Sequence, residues 1–184
     1  MSKIIIGLVG EIASGKDTIA QYLKEKYDSE TVSFSQPLRD ILDRLYLPQN
    51  RENMVWLGSD LRQRFGEHVL AYAITKEAEA IDRPFICLPN VRTFGDIEFF
   101  KKMPNFVLVQ IFADQKIRYE RLIRRSQNPD DQTKTWEQFL ADAQLPTEVS
   151  IREVAKEAKY KINNNGNFEE LYRQVNELIE KIKN

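Results

Sequence analysis

The sequence predicts an open α/β fold, a parallel sheet with helices on both faces, from three observations. Short, continuously apolar, β-branched runs alternate with stretches whose apolar residues recur at helical spacing. These runs lack the in-out alternation of a half-exposed strand, as expected where both faces of a sheet are covered. With 7 Gly and 7 Pro in 184 residues, and no Ser-rich or Pro-rich run, nothing marks a linker or a repeat. One domain is expected at this length.

Ile4 to Val9 reads as the first strand, and a helix follows from about Gly15 to Lys26. Thr31 to Phe34 reads as a second, shorter strand. Ser35 is placed to cap a helix beginning near Pro37, whose fixed φ suits a first turn. Leu38, Ile41, Leu42 and Leu45 give that helix its apolar spacing, and Pro48 ends it. A longer helical region is expected from about Ser59 to Ala80, then a strand at Phe85 to Leu88. A helix over about Gly95 to Lys102 and a strand at Phe106 to Phe112 come next, and Tyr160 to Ile162 makes a fifth strand.

Three late helices carry a capping pair spaced by three: Thr135 with Gln138, Ser150 with Glu153, and Asn167 with Glu170. In the last helix Phe168, Leu171, Tyr172, Val175, Leu178, Ile179 and Ile182 form one stripe to lie on the sheet. Ligands of such a fold bind beyond the carboxyl ends of the strands.

Lys and Arg together number 27 against 28 Asp and Glu, a formal net charge of −1, so the broad basic surface of a long nucleic-acid binder is excluded. A hydrophobic content of 42% is enough for a substantial core. Cys87 is the only cysteine, which excludes an intrachain disulfide and a cysteine zinc cluster. His68 is the only histidine, which excludes a multi-histidine metal site, and it reads as structural or exposed. No apolar run approaches the ~18 residues of a membrane span. The protein is read as cytoplasmic and unprocessed, with no membrane partner.

The segment Gly10-Glu11-Ile12-Ala13-Ser14-Gly15-Lys16-Asp17-Thr18 follows the first strand and opens a helix. It fits G-x-x-x-x-G-K, with Asp17 where Ser or Thr is usual. Backbone N–H groups of such a loop and the positive end of the helix bind phosphate oxygens, and Lys16 adds a point charge. Glycine at positions 10 and 15 lets the backbone curl close to the anion. A Ser or Thr after the lysine normally touches Mg²⁺. A carboxylate there holds the metal directly or through water, so Asp17 and Thr18 are the expected metal-side residues. The plainer alternative is a glycine-containing turn with a surface lysine.

The stretch GLVGEIASGKDT resembles the opening of dephospho-coenzyme A kinases and of related archaeal nucleotide kinases. Its Gly-Lys-Asp-Thr ending is similar to phage-type deoxynucleoside monophosphate kinases and to one class of phosphomevalonate kinases. Lys159-Tyr160-Lys161-Ile162-Asn163-Asn164-Asn165-Gly166, with its capped helix, resembles the closing strand and base-binding loop of these families, so the resemblance spans nearly the whole chain. It implies a three-layer P-loop kinase fold with a five-stranded parallel sheet and a short helical lid. It further implies ATP and Mg²⁺ as cofactors, with Asn164 and Gly166 on the ATP side. The acceptor-binding segment is then expected at about 35–80 and the lid at about 118–145.

An acceptor bearing its own phosphate has to be held in line with the donor, and arginine forks do this. Arg39 follows the second strand, Arg62 lies in Leu57 to Gly66, and Arg92 lies just past the third strand. Leu88-Pro89-Asn90-Val91-Arg92 resembles the Asp-x-Arg element of deoxynucleotide kinases, with Asn90 in place of the acid. An amide accepts no proton, so either another carboxylate such as Asp17 substitutes or turnover is compromised. The alternative for each arginine is an ordinary surface charge.

Arg118-Tyr119-Glu120-Arg121-Leu122-Ile123-Arg124-Arg125 carries four arginines and leads into the polar Ser126-Gln127-Asn128-Pro129-Asp130-Asp131. Arg118, Arg121 and Arg125 share a helical face, and closing it over the donor would stabilise charge on the transferred group. Arg121 and Arg125, with Lys16, are the expected catalytic residues; the alternative is a solvated helix face. Cys87 reads as a small buried hydrophobe. Trp56 and Trp136 read as packing residues, Trp56 with the option of lining the acceptor pocket.

These observations predict a kinase acting on a small-molecule nucleotide acceptor, a nucleoside or deoxynucleoside monophosphate, with dephospho-coenzyme A as the rival. A nucleotide-binding regulatory protein with little transfer activity is the alternative of another class. Neither the acceptor base nor the oligomeric state is legible.

Overall fold

The computed structural model describes residues 3–125 and 131–183. Ile4–Val9 (β1), Ser29–Thr31 (β2), Phe85–Leu88 (β3), Phe106–Phe112 (β4) and Tyr160–Asn163 (β5) form one sheet in the order β2-β3-β1-β4-β5. Every pairing is parallel, with Ile5 opposite Ile86 on one side and Phe106 on the other. The continuous apolar runs thus become strands covered on both faces.

The helices are Lys16–Tyr27 (α1), Gln36–Arg44 (α2), Arg51–Phe65 (α3), Val69–Ala80 (α4), Phe94–Phe100 (α5), Gln115–Arg124 (α6), Trp136–Asp142 (α7), Pro146–Ala155 (α8) and Phe168–Lys183 (α9). On one face of the sheet, Ile19 and Leu23 of α1 and Leu171, Val175 and Ile179 of α9 pack with Ile6, Leu8 and Val109. On the other, Ala71 and Ile74 of α4, Ile97 and Phe100 of α5, and Ile151 and Val154 of α8 pack with Ile5, Val9 and Ile86. The result is three layers. Among the described residues, no helix is long and apolar enough to cross a membrane.

Four expectations need correction. The second strand lies earlier than Thr31 to Phe34, at Ser29–Thr31; Val32 extends the pairing by one bond to Cys87 O at 3.0 Å before the chain turns. The helical region expected over Ser59 to Ala80 begins earlier, at Arg51, and is two helices. Gly66 ends the first at φ 96°, its N–H returning to Arg62 O at 2.8 Å, in a conformation that a continuing helix cannot contain. Ser150 does not cap a helix with Glu153. It lies inside α8, which starts four residues earlier behind Leu145 with Pro146 in its first turn. Phe168 does not lie on the sheet, being 66% exposed, while Tyr172 stacks on Tyr22 with ring centroids 3.9 Å apart.

The reciprocal cap of Thr135 with Gln138 is present, and an unforeseen one joins Thr93 and Asp96. Asn167 accepts from the Glu170 N–H at 2.9 Å. Cys87 is fully buried, and burial pushes its thiol well above the usual range.

Candidate active site

The carboxyl end of β1 opens into the loop of residues 10–15, at the point where the sheet's connections switch from β3 on one side of β1 to β4 on the other. Its backbone is sharply curled, with Ala13 at φ 59° and Gly15 at φ 101°. A Cβ on Gly15 would lie 2.1 Å from Asn164 Nδ2, and one on Gly10 would lie 2.4 Å from Ile111 O. The two glycines are therefore demanded by space, and Gly15 by backbone conformation as well. Ser14 Oγ is buried without a hydrogen-bond partner.

Lys16, the first residue of α1, turns its Nζ back onto Gly10 O at 2.7 Å and Glu11 O at 3.2 Å. Burial lowers its pKa to about 8. Asp17 and Glu148 oppose that shift, while Arg92 and Arg125 add to it. Arg92, after β3, and Arg125, at the end of α6, thus act electrostatically on the loop lysine.

The loop is held from three sides. Asn164 donates from Nδ2 to Ser14 O at 2.8 Å. Glu11 receives Arg118 Nη2 at 3.1 Å and Arg152 Nη1 at 3.2 Å. Arg118 also donates to Ala113 O at 3.1 Å and Ile12 O at 3.3 Å and is only 4% exposed. The shared lid face of Arg118, Arg121 and Arg125 is therefore not free as a unit, because Arg118 is a buried clamp. Burial also lowers its pKa.

Arg125 Nε pairs with Asp131 at 2.9 Å, and Arg121 keeps a buried Nη1 without a partner among the described residues. Tyr119, Trp136 and Phe139 pack together behind them, so Trp136 is a packing residue. Ser126 to Asp130 lie outside the described residues.

Past β3, Arg92 is exposed, and its backbone N–H is held by Asp96 Oδ2 at 3.2 Å. Asp96 is buried, which raises its pKa against the pull of Thr93, the Arg92 backbone and Arg62. Arg62 donates to Gly58 O at 3.3 Å and leaves its Nε buried and unpartnered. Arg39 is exposed and reaches Gln49 at 3.2 Å, a contact away from the loop of residues 10–15. Asn90 is half-buried in the turn after β3. Trp56 is 55% exposed and, with Glu52, Val55, Ser59 and Asp60, lines a shallow pocket on α3. His68 is exposed and stacks against Phe99 at 6.2 Å.

Asn164 reaches the donor loop through a loop carbonyl, and Gly166 is exposed, with Glu170 filling the space a Cβ would need. Sequence reasoning missed Glu148, Ser150 and Arg152, which α8 carries to the loop and to Arg92. The available signal was Pro146, which marks the true start of that helix.

The loop fits a polyphosphate: a glycine-bounded curl that side chains would fill, at a helix N-terminus, with a desolvated lysine hydrogen-bonded only to carbonyls. Asp17 and Thr18 stand in the first turn of α1, and among the described residues no group of three or more potential metal ligands forms. That donor set suits Mg²⁺, which takes one or two protein groups and completes its shell with phosphates and water.

A five-stranded parallel sheet whose central strand runs into such a loop defines the P-loop kinase fold, and solved structures agree. The chain aligns over 100% of its length and of a shikimate kinase from Bacteroides thetaiotaomicron, with TM-score 0.63 at 16% identity. It aligns over 98% of its length and 95% of a gluconokinase from Sinorhizobium meliloti, with TM-score 0.57 at 13% identity. In sequence it is 26% identical over 184 residues to a UPF0200 protein of Pyrococcus horikoshii, covering 97% of each chain. It is likewise 26% identical over 183 residues to a UPF0200 protein of Methanocaldococcus jannaschii, covering 98% of this chain and 91% of that one. No family model matches the chain.

Proposed function

We propose that the protein is an ATP-dependent phosphotransferase acting on a small phosphorylated acceptor, a nucleoside or deoxynucleoside monophosphate. The observation that carries this reading is the glycine-bounded curl at the N-terminus of α1, with the buried Lys16 Nζ turned onto Gly10 O at 2.7 Å. Arg92 and Arg125, from two different elements, both weigh against the charge on Lys16, as cations around an anion site do.

In this reading the amides of residues 10–15 and Lys16 hold the donor, and Arg92, with Arg39 and Arg62, holds the acceptor phosphate. Arg121 and Arg125 stabilise charge on the group in flight. Mg²⁺ beside Asp17 and Thr18 would supply further neutralisation of the donor. No side-chain nucleophile is needed, because positioning and electrostatics do most of the work in such transfers.

Asn90 favours a phosphate acceptor over a hydroxyl. A phosphate monoester is largely ionised near neutrality and needs no base, whereas the hydroxyl of dephospho-coenzyme A is helped by one. Asn90 also supports the second reading, a nucleotide-sensing protein with little transfer. A coupled ADP-release assay with ATP and Mg²⁺ against a panel of monophosphates, dephospho-coenzyme A and phosphomevalonate separates the two. Acceptor-dependent turnover that disappears in Lys16→Ala supports the kinase. Tight ATP binding with no acceptor-dependent turnover sinks it.

A further inference from the structure

Helix α8 carries a carboxylate onto the anion-binding loop. Glu148, in its first turn, accepts from the Ile12 N–H through Oε2 at 3.3 Å. The helix is pinned in that position. Ser150 Oγ donates to Arg92 O at 3.0 Å, and Arg152 Nη1 reaches both Glu11 Oε1 at 3.2 Å and Ala143 O at 2.7 Å. Ile12 stands in the curled segment between Gly10 and Gly15, so an amide of that anion cradle already faces a negative charge.

Glu148 also acts on the surrounding cations. It favours the charged form of Lys16, against Arg92 and Arg125, and that of Arg118. An internal anion thus stands among the positive groups of the site. Its bond to Ile12 is longer than the about 2.9 Å of a good charge-assisted hydrogen bond, so a better anion can replace it.

Taking the loop as the donor site proposed above, we infer that Glu148 is an internal competitor for the donor's phosphates: its carboxylate holds the Ile12 amide in the free protein, and a polyphosphate seated in the loop displaces it. A bound phosphate and this carboxylate would otherwise face each other across a few ångströms in a partly desolvated cleft, where like charges repel strongly. Affinity for the donor is then set by Glu148 as well as by Lys16.

The test is calorimetric titration of inorganic triphosphate, and separately of ATP, into the full chain and its Glu148→Gln, Glu148→Ala and Lys16→Ala variants. A pH of about 6.5 keeps Lys16 protonated even when Glu148 no longer supports its charge. Both Glu148 variants are expected to bind roughly tenfold more tightly than the parent, with Lys16→Ala far weaker. The glutamine keeps the shape of the side chain and the alanine removes it, and unchanged thermal melts establish that each is folded. Equal or weaker binding by both Glu148 variants, with Lys16→Ala still impaired, overturns the role of Glu148 and leaves the donor site standing. Absence of binding by the parent chain overturns the donor site and the competitor with it.

Discussion

Asn164, at the end of β5, donates from its side-chain amide to the carbonyl oxygen of Ser14 across 2.8 Å, joining residues 150 positions apart. The bond is buried, and it holds the carbonyl immediately before Gly15. Replacing Asn164 with Ala leaves that carbonyl without its donor and frees the loop to relax. A loss of about 1–2 kcal/mol in urea denaturation is expected, together with weaker ATP binding. Stability that falls while ATP affinity stays unchanged would mean that the loop keeps its shape without this anchor.

Gly15→Ala carries two penalties, a side chain at φ 101° and a Cβ 2.1 Å from Asn164 Nδ2. Donor binding should be lost, with far-ultraviolet circular dichroism retained. Adding Asn164→Ala removes the collision and leaves the backbone strain, so the double variant should recover part of the lost stability. Equal stability of the single and double variants would show that the collision is relieved by other movements.

Burial brings the Lys16 pKa to about 8 from an ordinary 10.5. The unfolded chain therefore binds the extra proton between these two values, and stability should rise as pH increases from about 8 toward 10.5. Below about 8 both states are protonated, and the cost of burying the charge is fully present. Lys16→Met should flatten the rise. Triphosphate affinity should fall in the same alkaline range as the charge is lost, and Lys16→Arg, which stays protonated, should flatten that decline. A decline of equal size in the arginine variant would assign it to another group.

The two ends of the Glu11–Arg118 pair are unequal. Arg118 is 4% exposed on its side chain and Glu11 22%, and Glu11 has Arg152 as a second partner. Glu11→Ala leaves a buried guanidinium without its counter-charge and should cost about 3 kcal/mol, the low end for such a break. Arg118→Met should cost less, since Glu11 retains Arg152 and some solvent. The reverse order in chemical denaturation would show that the packing of Arg118, and not its charge, is the main contribution.

Arg92→Ala should raise the acceptor KM by roughly 10–100-fold, the worth of a charge-assisted fork, with little change in ATP affinity. Steady-state kinetics with the acceptor varied at saturating ATP measure this. An equal loss on both substrates would place Arg92 between the two phosphates.

Most of this fold was legible because local signals decide it. Ile4–Val9, Phe85–Leu88 and Phe106–Phe112 are apolar on both faces, a pattern that few other settings tolerate. The loop was legible through Gly10, Gly15 and Lys16, the glycines standing where the backbone curls and no Cβ fits. Less legible were relations between distant segments. Asn164 stood out only through the resemblance of the segment around it, and its hydrogen bond to Ser14 depends on where β5 joins the sheet. Arg118 and Arg125 look alike in sequence, yet Glu11 binds one and Asp131 the other. Glu148 carries no local mark beyond a place in the first turn of a helix, and Ser150 mimics a cap that Pro146 makes unnecessary.

The central position of β1 also bears on how the chain is made. It precedes both of its neighbours, β3 and β4, so Ile5, Ile6, Leu8 and Val9, almost wholly covered in the finished molecule, are synthesised before either strand that flanks them. The edges of β1 therefore wait for their partners until α1 to α4 have been made, and an apolar strand with unpaired edges is the kind of segment that chaperones hold and that aggregates when they do not.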